Sequence, residues 1–189
     1  AFDFGGMAAR NGVSAATMVQ SGCTGVEDVF SGERNFYIAF DESGRIGKAP
    51  GPAILTRGLG SSYEIMRTNI KRWSVGSPIQ APLDSLLELI RAHKLKADEV
   101  EKVLVRVSHN GAATVDNREM PDICMQHMCA VMLLDGIVTF ESAHNERRMK
   151  DRKVLELRRR IELRGDDELQ KLLPSRHGIV EIELKNGRK

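Results

Sequence analysis

The sequence predicts an α+β domain in which an antiparallel sheet is covered by helices, and three observations carry that prediction. From Ile123 to Leu134 only Gln126 and His127 are strongly polar, and a helix apolar nearly all round belongs in an interior. From Pro82 onward, Leu83, Leu86, Leu87 and Ile90 recur at i, i+3, i+4 and i+7, which is a helix with one buried face. Two segments alternate as half-buried strands do: Val103, Val105 and Val107 against Lys102, Leu104 and Arg106, then Val180, Ile182 and Leu184 against Glu181 and Glu183. Helices and strands mix without a regular βαβ rhythm, which favours antiparallel strands under a helical layer.

In chain order, Gly6 to Ser21 reads as a helix with Ala8, Ala9, Gly12, Ala15 and Ala16 on part of its surface, ended by Gly22. Val26 to Phe30 gives about one further turn, and Phe36 to Phe40 reads as a short extended piece. Asp41 to Pro52, rich in Gly, Pro and charge, is the best candidate for a linker or domain boundary. Tyr63 to Trp73 alternates like a strand, with Lys71 near its end. The Pro82 helix should end near Lys94, and Val100 to Val107 follows as a strand.

Asn110 to Asn117 has the small, polar character of a loop that can reach a ligand. In the apolar helix Pro121 and Asp122 suit the first turn, and Asp135-Gly136 supplies the stop. Thr139 to Met149 and Asp151 to Arg160 read as helical, Ile161 to Leu163 as a short strand, and Ile179 to Leu184 as a strand running into an Asn186-Gly187 turn. That hairpin turn without a returning strand, and an opening AFDFGGMAAR without an initiator Met, lead us to expect a fragment of a longer protein.

With 28 Lys+Arg against 26 Asp+Glu, the net charge of +2 argues against a nucleic-acid surface. The basic cluster from Arg147 to Arg160 is interleaved with Glu146, Asp151 and Glu156, as on a solvated helix face. Three cysteines without scaffold spacing suit a reducing cytosol, and no apolar run approaches the roughly 20 residues of a membrane span. A soluble cytoplasmic protein is expected.

There is no Walker loop, dinucleotide fingerprint or HExxH. Cys124, His127 and Cys129 have the residue types of metal ligands, but on one helix Cys129 points roughly 160° away from His127, so three-way ligation fails. What remains is Lys71 beside Trp73, Gln80 and Asp84 flanking the helix start, and Gln126 with His127 on the apolar helix. Each has a plain structural reading: a surface cation for Lys71, a helix-dipole partner for Asp84, a satisfied core histidine for His127.

The segments MAARNGVSAATMVQSGCTGVEDVFSG, Leu59-Gly60, Ile70-Lys71, PDICMQHMCAVMLLDG and EIELKNGR together resemble the second half of the MmgE/PrpD family, which includes 2-methylcitrate dehydratase, cis-aconitate decarboxylase and iminodisuccinate epimerase. The resemblance implies an all-helical domain joined to a smaller α+β domain, with the site in the cleft between them. Residues 1–45 would be the last helices of the first, and 46–189 the second, cut short at its C-terminus.

Carried over position by position, the family's lysine falls on Lys71, its usual histidine nine residues later is Gln80, and the following aspartate is Asp84. The position often held by tyrosine is His127, and the frequent serine three residues earlier is Cys124. The resemblance therefore implies a lyase of the 2-methylcitrate dehydratase kind acting on a small di- or tricarboxylate, with Lys71 and His127 catalytic and Lys71, Gln80, Asp84 and Cys124 lining the substrate. It requires no iron–sulfur cluster or nucleotide cofactor and implies a homodimer; from helix geometry, charge and hydropathy, no metal and no nucleic-acid or membrane partner is expected. The family's first-domain acidic and histidine residues would lie upstream of Ala1, so the isolated chain is expected to be inactive. An epimerase or isomerase of a dicarboxylate, and a non-catalytic small-molecule-binding domain, are the alternatives.

Overall fold

The computed structural model describes residues 3–32, 35–39 and 56–189, and the chain divides into two units, Ala1–Thr68 and Asn69–Lys189. The candidate boundary at 41–52, the 45/46 division and Phe40 lie outside the described residues.

In the first unit, helix α1 spans Asp3–Gln20, as its helical pattern predicts. It ends where Gly22 adopts φ 98°, which lets Cys23 N reach Met18 O at 3.0 Å and Gly22 N reach Val19 O at 3.0 Å. Residues 26–30 form no helical turn; Asp28 Oδ1 instead accepts from Phe30 N and Ser31 N. The expected extended piece after Asn35 is a single helical turn, α2, Phe36–Ala39, because Asn35 Oδ1 accepts from Tyr37 N at 3.0 Å and closes it. The strand expected over 63–73 does not form either. Glu64–Arg67 is a 3-10 turn, and with Ile65, Met66 and Ile70 exposed the alternation has no ladder partner to sustain it.

The second unit is built on a three-stranded sheet. Strand β1, Val100–Ser108, lies between β2, Ile161–Asp166, and β3, Ile179–Leu184. The α+β class holds, with one correction to the sheet: β1 runs antiparallel to β3 but parallel to β2. The segment between β1 and β2 is long enough to carry helices across one face and return in the same direction. Register aligns Val103 and Val105 with Ile182 and Val180 on one side and with Ile161 and Leu163 on the other, giving one apolar face. The opposite face carries ion pairs, Lys102 to Glu162 at 2.7 Å and Arg106 to Asp166 at 2.9 Å.

Helices cover the apolar face. Helix α3, Gln80–His93, buries Leu83, Leu86 and Leu87 and ends at Lys94, which takes the left-handed φ of 51°. Residues 110–115, read as part of a loop over 110–117, fall in helix α4, His109–Val115. Ser108 Oγ caps it by accepting from Gly111 N at 3.1 Å, and Gly111 lets the turn close on Pro78, 3.3 Å from where a Cβ would stand. The central helix α5, Met125–Asp135, is buried from Met125 through Leu133 and closes on Gly136 at φ 71°, as its apolar run predicts.

The helix expected over 139–149 is broken into α6, Phe140–Ala143, and a 3-10 turn, Glu146–Lys150. Asn145 starts the second piece by accepting from Arg148 N. Helix α7, Arg152–Arg158, is capped by Asp151. A short helix without a sequence expectation, α8, Asp167–Lys171, follows β2 because Asp166 Oδ1 accepts from Glu168 N and Leu169 N. The Asn186-Gly187 turn forms, with Gly187 N on Leu184 O at 2.8 Å. Among the described residues no helix is long and apolar enough to cross a membrane.

Candidate functional site

Gln80 and Asp84 are one helical turn apart on α3, so both side chains point the same way, toward residues 71–75. Gln80 Oε1 accepts from Trp73 N at 3.1 Å, and its Nε2 donates to Trp73 O at 2.8 Å and Val75 O at 3.2 Å. Asp84 Oδ1 accepts from Trp73 Nε1 at 3.1 Å and from Arg72 at 3.0 Å. The Arg72 guanidinium lies 4.8 Å from the Trp73 ring centroid, in cation–π range. Trp73 and Val75 are buried, whereas Lys71 is exposed and rests its ammonium on Val75 O at 3.2 Å. The result is a strap whose backbone is held by Gln80 and whose Trp73 and Arg72 side chains are held by Asp84, with a cation at its outer end.

The strap touches the approach to the central helix. Gly76 N donates to Asp122 O at 2.8 Å, and Asp122 belongs to the 3-10 turn Pro121–Ile123 that leads into α5. Cys124 follows that turn as a buried thiol whose pKa burial pushes up, with Sγ 3.9 Å from Gln126 Oε1. Burial likewise pushes Cys129 up to about 12, so both thiols stay protonated at neutral pH.

The two buried polar side chains of α5 have opposite fates. Gln126, 1% exposed, accepts from Asn117 N at 2.9 Å and donates to Asp116 Oδ1 at 2.6 Å. Asn117 takes a left-handed φ of 44° there, and its Oδ1 accepts from Arg158 at 3.3 Å. His127 is 0% exposed, and among the described residues neither ring nitrogen has a hydrogen-bond partner. Burial, reinforced by the charges of Arg158 and Arg148, lowers its pKa to about 4, so the ring is neutral at physiological pH.

Of the residues singled out in the sequence, Gln80 and Asp84 meet at Trp73 and Lys71 bonds Val75 of the same strap, but not at the end of a strand. Cys124 and His127 lie on the neighbouring segment, joined to the strap through the Gly76 bond; no hydrogen bond links Lys71 to His127 among the described residues. The side-chain amide of Gln80 is spent on backbone. Sequence reasoning missed Arg72, which an Arg-Trp dipeptide could have flagged as a stacking pair, and missed Asp116, Asn117 and Arg158, whose meeting at Gln126 depends on tertiary placement. Among the described residues no group of three or more His, Cys, Asp or Glu side chains is arranged to hold a metal ion.

Comparison with known families gives a match to the MmgE/PrpD C-terminal domain, whose model covers residues 73–189, more than half of the chain. The matched region holds Trp73, Gln80, Asp84, Cys124 and His127 and begins just after Lys71 and Arg72. No curated protein matches the sequence.

Proposed function

The chain belongs to the MmgE/PrpD family, and from that premise we propose that it serves an enzyme removing a proton next to a carboxylate of a small di- or tricarboxylate. Loss of hydroxide then gives a hydro-lyase of the 2-methylcitrate dehydratase kind. The observation that carries the reading is Lys71: an exposed ammonium on a strap pinned to α3, with a single hydrogen bond among the described residues, to Val75 O, and so with N–H donors left for a carboxylate. A fixed cation there holds the substrate and stabilises the negative charge that develops when the adjacent carbon loses its proton.

In this reading His127 is the proton acceptor. A pKa of about 4 makes it a weak base on its own, but a bound dicarboxylate raises it, because nearby negative charge favours imidazolium. Because the ring is fully buried, contact with substrate requires the shell around α5 to open. Asp84 serves through Arg72 and Trp73, and Cys124 as an uncharged thiol beside the helix entrance.

A specific observation favours an epimerase as the second reading. Gln80 carries no transferable proton and all its bonds go to backbone, so nothing at that position assists departure of a hydroxyl. Incubating the full-length protein with 2-methylcitrate, cis-aconitate and simple dicarboxylates in deuterated water, with NMR detection, tests both. Net alkene formation supports the lyase, and deuterium uptake without net product supports the epimerase. Lys71→Ala should raise KM by about tenfold or more, and His127→Ala should lower the exchange rate by about 10²-fold or more. Binding of a carboxylate with no turnover and no exchange would replace both readings with a non-catalytic binding module.

A further inference from the structure

We propose that Gln80 is a positioning residue for Lys71: it fixes the backbone of the 73–75 strap so that Val75 O holds the lysine ammonium in one place. The inference builds on the reading of Lys71 as the carboxylate anchor.

The geometry is specific. A glutamine amide offers one carbonyl and one NH2 group, and both are committed to three backbone atoms of two residues: Trp73 N, Trp73 O and Val75 O. Val75 O thereby has two donors, Gln80 Nε2 at 3.2 Å and Lys71 Nζ at 3.2 Å, so one carbonyl is shared between the clamp and the cation. The turn is tightened further by Val75 N on Trp73 O at 2.8 Å, and Trp73 and Val75 have almost no access to water that could replace these bonds. Asp84 grips the same residue from the next turn through Trp73 Nε1. Lys71 is four residues from the carbonyl it uses, with no secondary structure from Thr68 to Lys71 to hold it, so its place depends on where Val75 O points. An imidazole at this position has one fewer donor–acceptor combination with which to span all three backbone groups.

The test is a double-mutant cycle in the full-length protein, with a second readout that does not depend on activity. Acetic anhydride reaches the Lys71 nitrogen more readily when it is not held against Val75 O, so mass-spectrometric mapping of the acetylation rate reports how firmly it is held. In Gln80→Met the Lys71 acetylation rate should rise about fivefold, the factor that one hydrogen bond of ordinary net strength sets. Gln80→Glu, which keeps the acceptor for Trp73 N and loses the two donated bonds, should also raise it, and it supplies the test if Gln80→Met does not fold. Leu86→Ala, a core change on the same helix, is the control for general loosening and should leave Lys71 relatively unaffected compared with the other lysines.

In turnover, Gln80→Met should raise KM for the carboxylate by about fivefold with little change in kcat, and Lys71→Ala/Gln80→Met should be no worse than Lys71→Ala within about twofold. Unchanged Lys71 acetylation in both Gln80 variants, or effects that multiply in the double variant, overturns the inference. If acetylation rises as expected and no carboxylate binds or turns over, the positioning role stands and the proposed function falls.

Discussion

The fully buried, unbonded ring of His127 predicts a specific acid sensitivity. An ordinary histidine titrates near 6.5, and this one titrates at about 4 because burial and two nearby guanidinium groups disfavour the charged ring. Between those values the unfolded chain binds a proton that the folded chain refuses, so stability is fully present above about pH 6.5 and is lost as the pH falls toward 4. Linkage over that interval gives a loss of about 2 kcal/mol between pH 7.5 and pH 5. The carboxylates whose pKa values are lowered, Asp28, Glu162 and Asp166, act in the same direction but start from 3.8 to 4.5, so a measurement stopped at pH 5 isolates the histidine.

Trp73 is the single tryptophan, 5% exposed and in the same unit as His127, so its fluorescence reports the relevant unfolding. Urea curves at pH 7.5 and pH 5 should show the loss in the native sequence and nearly none of it in His127→Leu. At pH 7.5 the leucine variant should be more stable by about 1 kcal/mol or more, since two unsatisfied buried nitrogens are removed. An equal acid slope in both proteins would refute the reasoning, as would a slope of the opposite sign.

Two further expectations concern the backbone. A methyl group at Gly178 would stand 2.6 Å from the Pro82 ring and 3.0 Å from its nitrogen, whereas one at Gly165 would meet the half-exposed His109 ring at 2.3 Å. A proline in a helix cannot retreat and an exposed ring can, so Gly178→Ala should cost about 2 kcal/mol in chemical denaturation and Gly165→Ala clearly less. Lys94 ends α3 with a left-handed φ of 51°, so Lys94→Gly should stabilise by about 0.5–1 kcal/mol, read as a rise in the melting temperature.

What could be read from the sequence is what a short window determines. The Pro82 helix, the Val100 and Ile179 strands and the Met125 helix each bury a face or a whole surface that the residue pattern already displays. Tyr63–Trp73 shows the same alternation without becoming a strand, because a strand also needs a neighbour, and no window contains it. Asn110 to Val115 looks like a loop by composition yet is helical, since Ser108 supplies a cap and small residues permit the approach to Pro78. The parallel partnership of β1 with β2 depends on how the intervening helices cross the sheet. At the candidate site, the closeness of Lys71, Gln80 and Asp84 was legible because they are neighbours in sequence. That the Gln80 amide turns inward onto backbone was not, because an amide can equally well face a ligand.

Gln126 and His127 show where pattern and chemistry part. Adjacent on one helix, both were equally entitled to a partner, and among the described residues only Gln126 has one. A core position that keeps a polar ring with two unsatisfied nitrogens near two guanidinium groups is less stable than the same position filled by leucine. Such a local inconsistency, in a segment otherwise consistent with a buried helix, is what a functional group looks like when its work is done in another state of the molecule. The two measurements on His127 therefore have to be made together. If His127→Leu gains stability and loses proton exchange, the ring is retained at a cost to the fold for the sake of chemistry. If it gains stability and keeps exchange, the base lies elsewhere and His127 drops out of the mechanism.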